Sequence, residues 1–156
     1  MKKTLYKALS LGALAGMRSL SAPAMLSRHL SEQRNGHLAT TPLHYLQNKT
    51  VANALSVMAA TELLGDKVPG VPDRTNLPSL LMRAASGAVV GATVYVGNHQ
   101  KLWQGAALGA AAAIAATYAS FYLRKTLSEK TSMADPVVGT LEDALVLASG
   151  LQAARA

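Results

Sequence analysis

Five apolar stretches, separated by segments that no helix can cross, constrain this 156-residue chain more than any other feature. They run from about Leu5 to Leu26 (interrupted by Arg18), Val51 to Leu64, Leu80 to Val96, Leu102 to Leu123 and Val137 to Ala154. Spanning a bilayer takes about 20 apolar residues, with a working range of about 17–25. The second stretch is short, and Pro42-Leu-His-Tyr-Leu is read as an interfacial lead-in to it. Between the second and third, Asp66 to Pro78 carries three prolines and a glycine, which no helix passes through. Asp135 before Pro136 reads as a helix cap with proline at the first helical position. A polar loop from about Ser31 to Lys49 holds two histidines and is read as including a short surface helix. The expectation is an all-α, polytopic transmembrane helix bundle of about five helices, with residues 1–156 forming one integral membrane domain.

Composition agrees. Half of the residues are hydrophobic and only 15% are charged, against about 25% in soluble domains. Aromatics make up 4%, so the apolar content is mostly small. Small residues suit a membrane bundle, where close backbone approach replaces hydrophobic burial as the source of helix association. The net charge of +7 is scattered at the ends of apolar segments, with no basic stripe interleaved with aromatics. That distribution argues against nucleic acid as a partner and for topology signals flanking the spans. With the N-terminus inside, eight basic residues (Lys2, Lys3, Lys7, Lys67, Arg74, Arg124, Lys125, Lys130) fall inside and five (Arg28, Arg34, Lys49, Lys101, Arg155) outside. This predicts an inner-membrane protein with its N-terminus inside and C-terminus outside. The opening MKKTLYKALSLGALAG also has the basic and apolar regions of a secretory signal. Arg18 interrupts that stretch and argues for its retention as a first span. No cysteine is present, which excludes disulfides and thiolate chemistry.

Leu11–Glu32 aligns without gaps to Leu108–Glu129, with nine of 22 positions identical. Were the first and fourth spans related, they would start on opposite sides of the membrane. The pattern would then be an inverted repeat of the first two and last two helices around the third, a common transporter plan.

Six glycines form pairs four residues apart: Gly12 and Gly16, Gly87 and Gly91, Gly105 and Gly109. In an apolar span this spacing lets two helix backbones touch, so they are read as helix-packing positions. They are also the faces through which a homo-oligomer is expected. Charges inside apolar spans are the sharper signal, because they are costly there and usually face the bundle interior. Arg83 lies about 7 Å, Glu62 about 6 Å and Glu142 about 10 Å from the inner end of its helix at a rise of about 1.5 Å per residue. Arg83 is therefore expected to pair with Glu62, Glu142 or both. Arg18, about 20 Å along the first span, needs another partner, such as a carbonyl freed by Pro23 or an anionic ligand. Asp66 shares a helix face with Glu62, Lys67 follows directly, and Asp143 points about 100° from Glu142. These groups are either glue fixing helix register or a ligand site. No hydrolase, metalloprotease or phosphate-loop motif is present, and the four histidines lack tight ligand spacing. Enzyme activity is therefore a less favoured reading, and no metal or cofactor is expected.

AGMRSLSAP (Ala15–Pro23), ELLGDKVPGVPDRT (Glu62–Thr75), RAASGAVVG (Arg83–Gly91) and LEDALVL (Leu141–Leu147) occur in that order. Together they resemble a family of small bacterial membrane proteins known as domain of unknown function 4126. The resemblance supports the membrane class and implies no reaction. It places Arg18, Ser19, Pro23, Glu62, Asp66, Lys67, Arg83, Glu142 and Asp143 in motif positions. The functional expectation is a transporter or channel-like protein that binds a small polar or ionic solute at an inner-side charged cluster. The alternatives are a structural or lipid-interacting membrane protein, and third, an enzyme acting on lipid headgroups.

Overall fold

A computed structural model describes residues 2–65 and 76–130, with the side chains of 63–65, 124, 125 and 127–130 left aside. The described chain is helical, without strands. Its helices are α1 (Lys2–Met17), α2 (Ser21–Glu32), α3 (Lys49–Gly65), α4 (Leu77–Gly97) and α5 (Leu102–Lys130). In place of a single surface helix, the loop between α2 and α3 holds two 3-10 turns, Gly36–Leu38 and Pro42–Gln47. The fifth apolar stretch, Val137–Ala154, lies outside the described residues.

The first apolar stretch is not one span. It is a helical hairpin, α1 and α2, broken at residues 18–20. Pro23 explains the break: it has no N–H to donate to the carbonyl of Ser19, and its ring would clash there. In the first turn of a new helix the same proline is harmless, because that N–H has no intrahelical partner. From the break α2 returns toward the chain start. Leu26 and Leu30 of α2 border the same cavity as Lys7 of α1 and Gly97 of α4, and Asn35 Nδ2 donates to Gly97 O at 3.0 Å.

The loop is pinned by its polar groups. Ser27 Oγ donates to Leu46 O at 2.7 Å, and Asn35 N donates to the buried Gln47 Oε1 at 2.7 Å. α3 then runs to the far end, α4 comes back, and α5 runs to the far end again. A core of Leu11, Leu14, Leu26, Leu38, Val90 and Val94, filled in with alanine, lies between α1, α2 and α4.

The extra reversal changes how the helices pair. Gly12 packs on Gly109 and Gly16 on Ala113, so α1 and α5 run parallel. Gly87 packs on Gly109 and Gly91 on Gly105, so α4 is antiparallel to α5. The first and fourth stretches therefore begin at the same end, the opposite of what an inverted repeat requires. The six glycines do hold backbones together, but within one chain. A Cβ at Gly16 would come 2.1 Å from Ala113 O, and one at Gly109 would come 2.0 Å from Gly87 O. Their faces are occupied inside the chain and are not surfaces for joining copies.

Candidate functional site: the helix break and its charges

A break in a buried helix strands backbone groups, and each needs a partner. Arg18 N makes the last bond of α1, to Leu14 O at 2.8 Å. In a continuous helix Ser19 N and Leu20 N would donate to Ala15 and Gly16. Here they donate to Glu62 of α3, at 3.0 Å to Oε1 and 2.9 Å to Oε2. Ser19 Oγ adds a third bond to Oε1 at 2.7 Å. Leu20 is the N-cap residue of α2 and has no capping oxygen of its own, so a carboxylate from another helix does the capping. A negative charge at a helix N-terminus is also favoured by the helix dipole.

The other side of the break is complementary. The Gly16 and Met17 carbonyls, left without N–H partners from Leu20 and Ser21, accept from Arg83 Nη1 at 2.6 and 2.7 Å. Thr117 Oγ1 of α5 shares its one proton between the same Gly16 O at 2.9 Å and Ala113 O of its own helix at 2.8 Å. Ser79 Oγ, one turn before Arg83, accepts from its Nε at 3.3 Å. A cation thus lies at the C-terminus of α1, the dipole's negative end. The carbonyl orphaned by Pro23, that of Ser19, accepts from Ser86 Oγ. Five of the groups that the break frees (Ser19 N, Leu20 N, Gly16 O, Met17 O and Ser19 O) thus take partners from side chains of α3, α4 and α5.

Of the predicted residues, the fold brings Arg18, Ser19, Glu62 and Arg83 to one place. Asp66, Lys67, Glu142 and Asp143 lie outside the described residues. Glu62 and Arg83 meet through the backbone of residues 16–20, each taking one side of the break. Arg18 does not stand apart at a greater depth, because α1 ends at Met17. It is 2% exposed and sits at the level of Glu62 and of the 5% exposed Arg83. The carbonyl freed by Pro23 goes to Ser86, not to Arg18. Sequence reading missed Ser79, Ser86 and Thr117. Hydroxyls in apolar helices are weak signals, since they often bond their own helix, as Thr117 also does to Ala113 O at 2.8 Å.

These observations define, among the described residues, an all-helical fold with a broken buried helix. Among the described residues two helices, α4 and Leu102–Leu123 of α5, are long and apolar enough to cross a membrane. The family described as domain of unknown function (DUF4126) matches residues 5–156, and the chain belongs to it. No curated protein and no solved structure matches.

Proposed function

We propose that this chain is a small integral membrane protein that interacts with lipid, its buried charges serving to hold a broken helix. The observation that carries the reading is the outward surface of α5. Only 17% of its apolar window is buried, which is unlike the core helix of a soluble protein. Trp103 (64% exposed) and Tyr122 (63%) mark its ends, about 28 Å apart at 1.5 Å per residue. That separation matches a hydrocarbon core of about 30 Å flanked by interfacial aromatics. Leu81, Met82 and Val89 extend the exposed apolar surface onto α4.

The charge pattern supports an N-terminus at the cytoplasmic side of a bacterial inner membrane. Lys2 and Lys101, assigned to opposite sides by the span count, border one cavity at the near end. With the hairpin in place, seven basic residues (Lys2, Lys3, Lys7, Arg28, Arg34, Lys49, Lys101) belong to the near end. Three more (Arg124, Lys125, Lys130) fall in the last turns of α5 at the far end, while Lys67 and Arg74 lie outside the described residues. The side of the C-terminus no longer follows from counting spans, since α1 and α2 run in opposite directions where the pattern counts one crossing.

The absence of cysteine makes the test simple. Single variants Thr40→Cys, Lys101→Cys and Asn76→Cys are treated in intact cells with a membrane-impermeant maleimide. Thr40→Cys and Lys101→Cys are expected to stay unlabelled until the cells are opened, while Asn76→Cys labels from outside. Labelling of Thr40→Cys and Asn76→Cys from the same side, or release of the chain by alkaline carbonate, defeats the reading.

A second reading, passage of a polar or ionic solute, is favoured by one feature. Half-helix ends facing the interior are how many transporters build their sites. Proteoliposome flux separates the two: in a transporter, Glu62→Gln abolishes flux while the protein stays folded, whereas in a structural role it lowers stability.

A further inference from the structure

A cavity of about 560 Å³ opens at the near end, between α1, α2, the first 3-10 turn and the end of α4. Lys7, His29, Arg34, His37 and His99 all line it, and none of its described lining residues is acidic. The size falls within the usual range for small-ligand sites, about 300–1,000 Å³.

His99 is the telling residue. Gln100 N donates to Tyr95 O at 2.9 Å and His99 N to Val96 O at 3.1 Å, which is the Schellman closure of α4. The residue after the C-cap in that closure is usually glycine, because its backbone is left-handed. Here it is histidine, with φ of 57°. A side chain held in that conformation costs about 1–2 kcal/mol relative to glycine, and nothing in the closure requires an imidazole. The ring instead lies against His37, with centroids 3.6 Å apart, at the cavity wall. Among the described residues no three His, Cys, Asp or Glu side chains are placed to hold a metal ion.

We infer that this cavity is an anion site that binds a phosphate group, held by Lys7 and Arg34 with the His37–His99 pair beside it. A lysine and an arginine supply charge-assisted hydrogen bonds to phosphate oxygens, and the imidazoles add N–H donors. The phosphate is carried either by an anionic lipid headgroup or by a free solute. The inference goes beyond the membrane reading and does not depend on it.

The test measures thermal unfolding of the purified chain in an uncharged detergent. One arm adds dioleoyl phosphatidylglycerol against dioleoyl phosphatidylcholine; the other adds inorganic phosphate against chloride at equal ionic strength. Stabilisation by phosphatidylglycerol beyond phosphatidylcholine supports the site with lipid as its source. Stabilisation by inorganic phosphate supports it with a soluble source. Arg34→Gln and His99→Asn are each expected to weaken the effect about tenfold, the size of one charged hydrogen bond. Asparagine is chosen because it tolerates the left-handed backbone. Arg28→Gln, exposed and outside the cavity, is expected to leave the effect intact. No stabilisation in either arm, or stabilisation unchanged in the Arg34→Gln/His99→Asn double variant, overturns the inference. Release of the chain by carbonate would defeat the membrane reading and leave the inorganic-phosphate arm standing.

Discussion

Glu62→Ala is the sharpest perturbation of the helix break. It removes the acceptor of three hydrogen bonds, from Ser19 N, Ser19 Oγ and Leu20 N. A bond to a charged acceptor contributes about 1.5–3 kcal/mol in water-soluble proteins, but interhelical bonds in membranes average only about 0.6. Glu62 is half-buried, so water reaches part of the site and softens the loss. The Ser19 hydroxyl can also rotate to another acceptor. The two backbone N–H groups are fixed by the chain, and Gly16 O, the acceptor Leu20 N would have in a continuous helix, is already held by Arg83 and Thr117. About 1–2 kcal/mol for each gives a loss of about 2–4 kcal/mol. At about 2–4 °C per kcal/mol for a chain of this size, the midpoint should fall by about 4–16 °C. Glu62→Gln keeps one accepting oxygen and turns a donor toward the other N–H, so about half that loss is expected. Thermal unfolding in detergent gives the total, and amide exchange at Ser19 and Leu20 shows where it arises. A midpoint within 1 °C of the parent, with unchanged exchange at both amides, would refute the capping argument.

Gly109→Ala should destabilise by about 1–3 kcal/mol despite alanine's better helix propensity, because its Cβ would meet Gly87 O at 2.0 Å. Gly36→Ala, with nothing within 4 Å of its added Cβ, is the matched control and should be neutral in the same melt. Thr117→Val should cost about 1 kcal/mol, since Arg83 still donates to Gly16 O in its absence. Arg83→Lys should be clearly destabilising, because one ammonium cannot reproduce a rigid fork that reaches two carbonyls and Ser79 Oγ together. Equal melting of Arg83→Lys and the parent would show that the guanidinium geometry is dispensable.

Much of this was legible in the sequence, for identifiable reasons. Apolar length gave α4 to within three residues at either end and the start of α5, but α5 continues seven residues past Leu123 into a polar stretch that hydropathy does not count. The cost of intramembrane charge singled out Glu62, Arg83 and Arg18 before their neighbours were known. Hydropathy failed at Leu5–Leu26, because it sums apolar character and is blind to direction. Pro23 was visible, yet a proline there is equally compatible with a kink in one long helix. What decides for a hairpin is tertiary: Glu62 and Arg83, distant in sequence, satisfy both sides of a full break. The expected pairing of Arg83 with Glu142 lies outside the described residues, and Glu62 and Arg83 meet only through backbone. Pairing rules match side chains with side chains, whereas here the opposite charges each take a helix end.

Parallel packing of α1 on α5 accounts for the part of the similarity between Leu11–Glu32 and Leu108–Glu129 that lies within α1, without a repeat of opposite orientation. In a parallel helix pair, residues at equal height face one another along the whole contact. Gly12 faces Gly109 and Gly16 faces Ala113, and these are the positions that the ungapped alignment places together. Each helix has to be small where the other approaches, so both carry small residues at the same heights. The correspondence stops being structural where α1 ends: α5 continues unbroken from Leu102 to Lys130, while the matching part of the first segment turns back as α2. Thr117 of α5 then stands beside the freed carbonyl of Gly16, which it shares with Arg83 of α4. The unbroken helix thereby serves as the splint for the broken one.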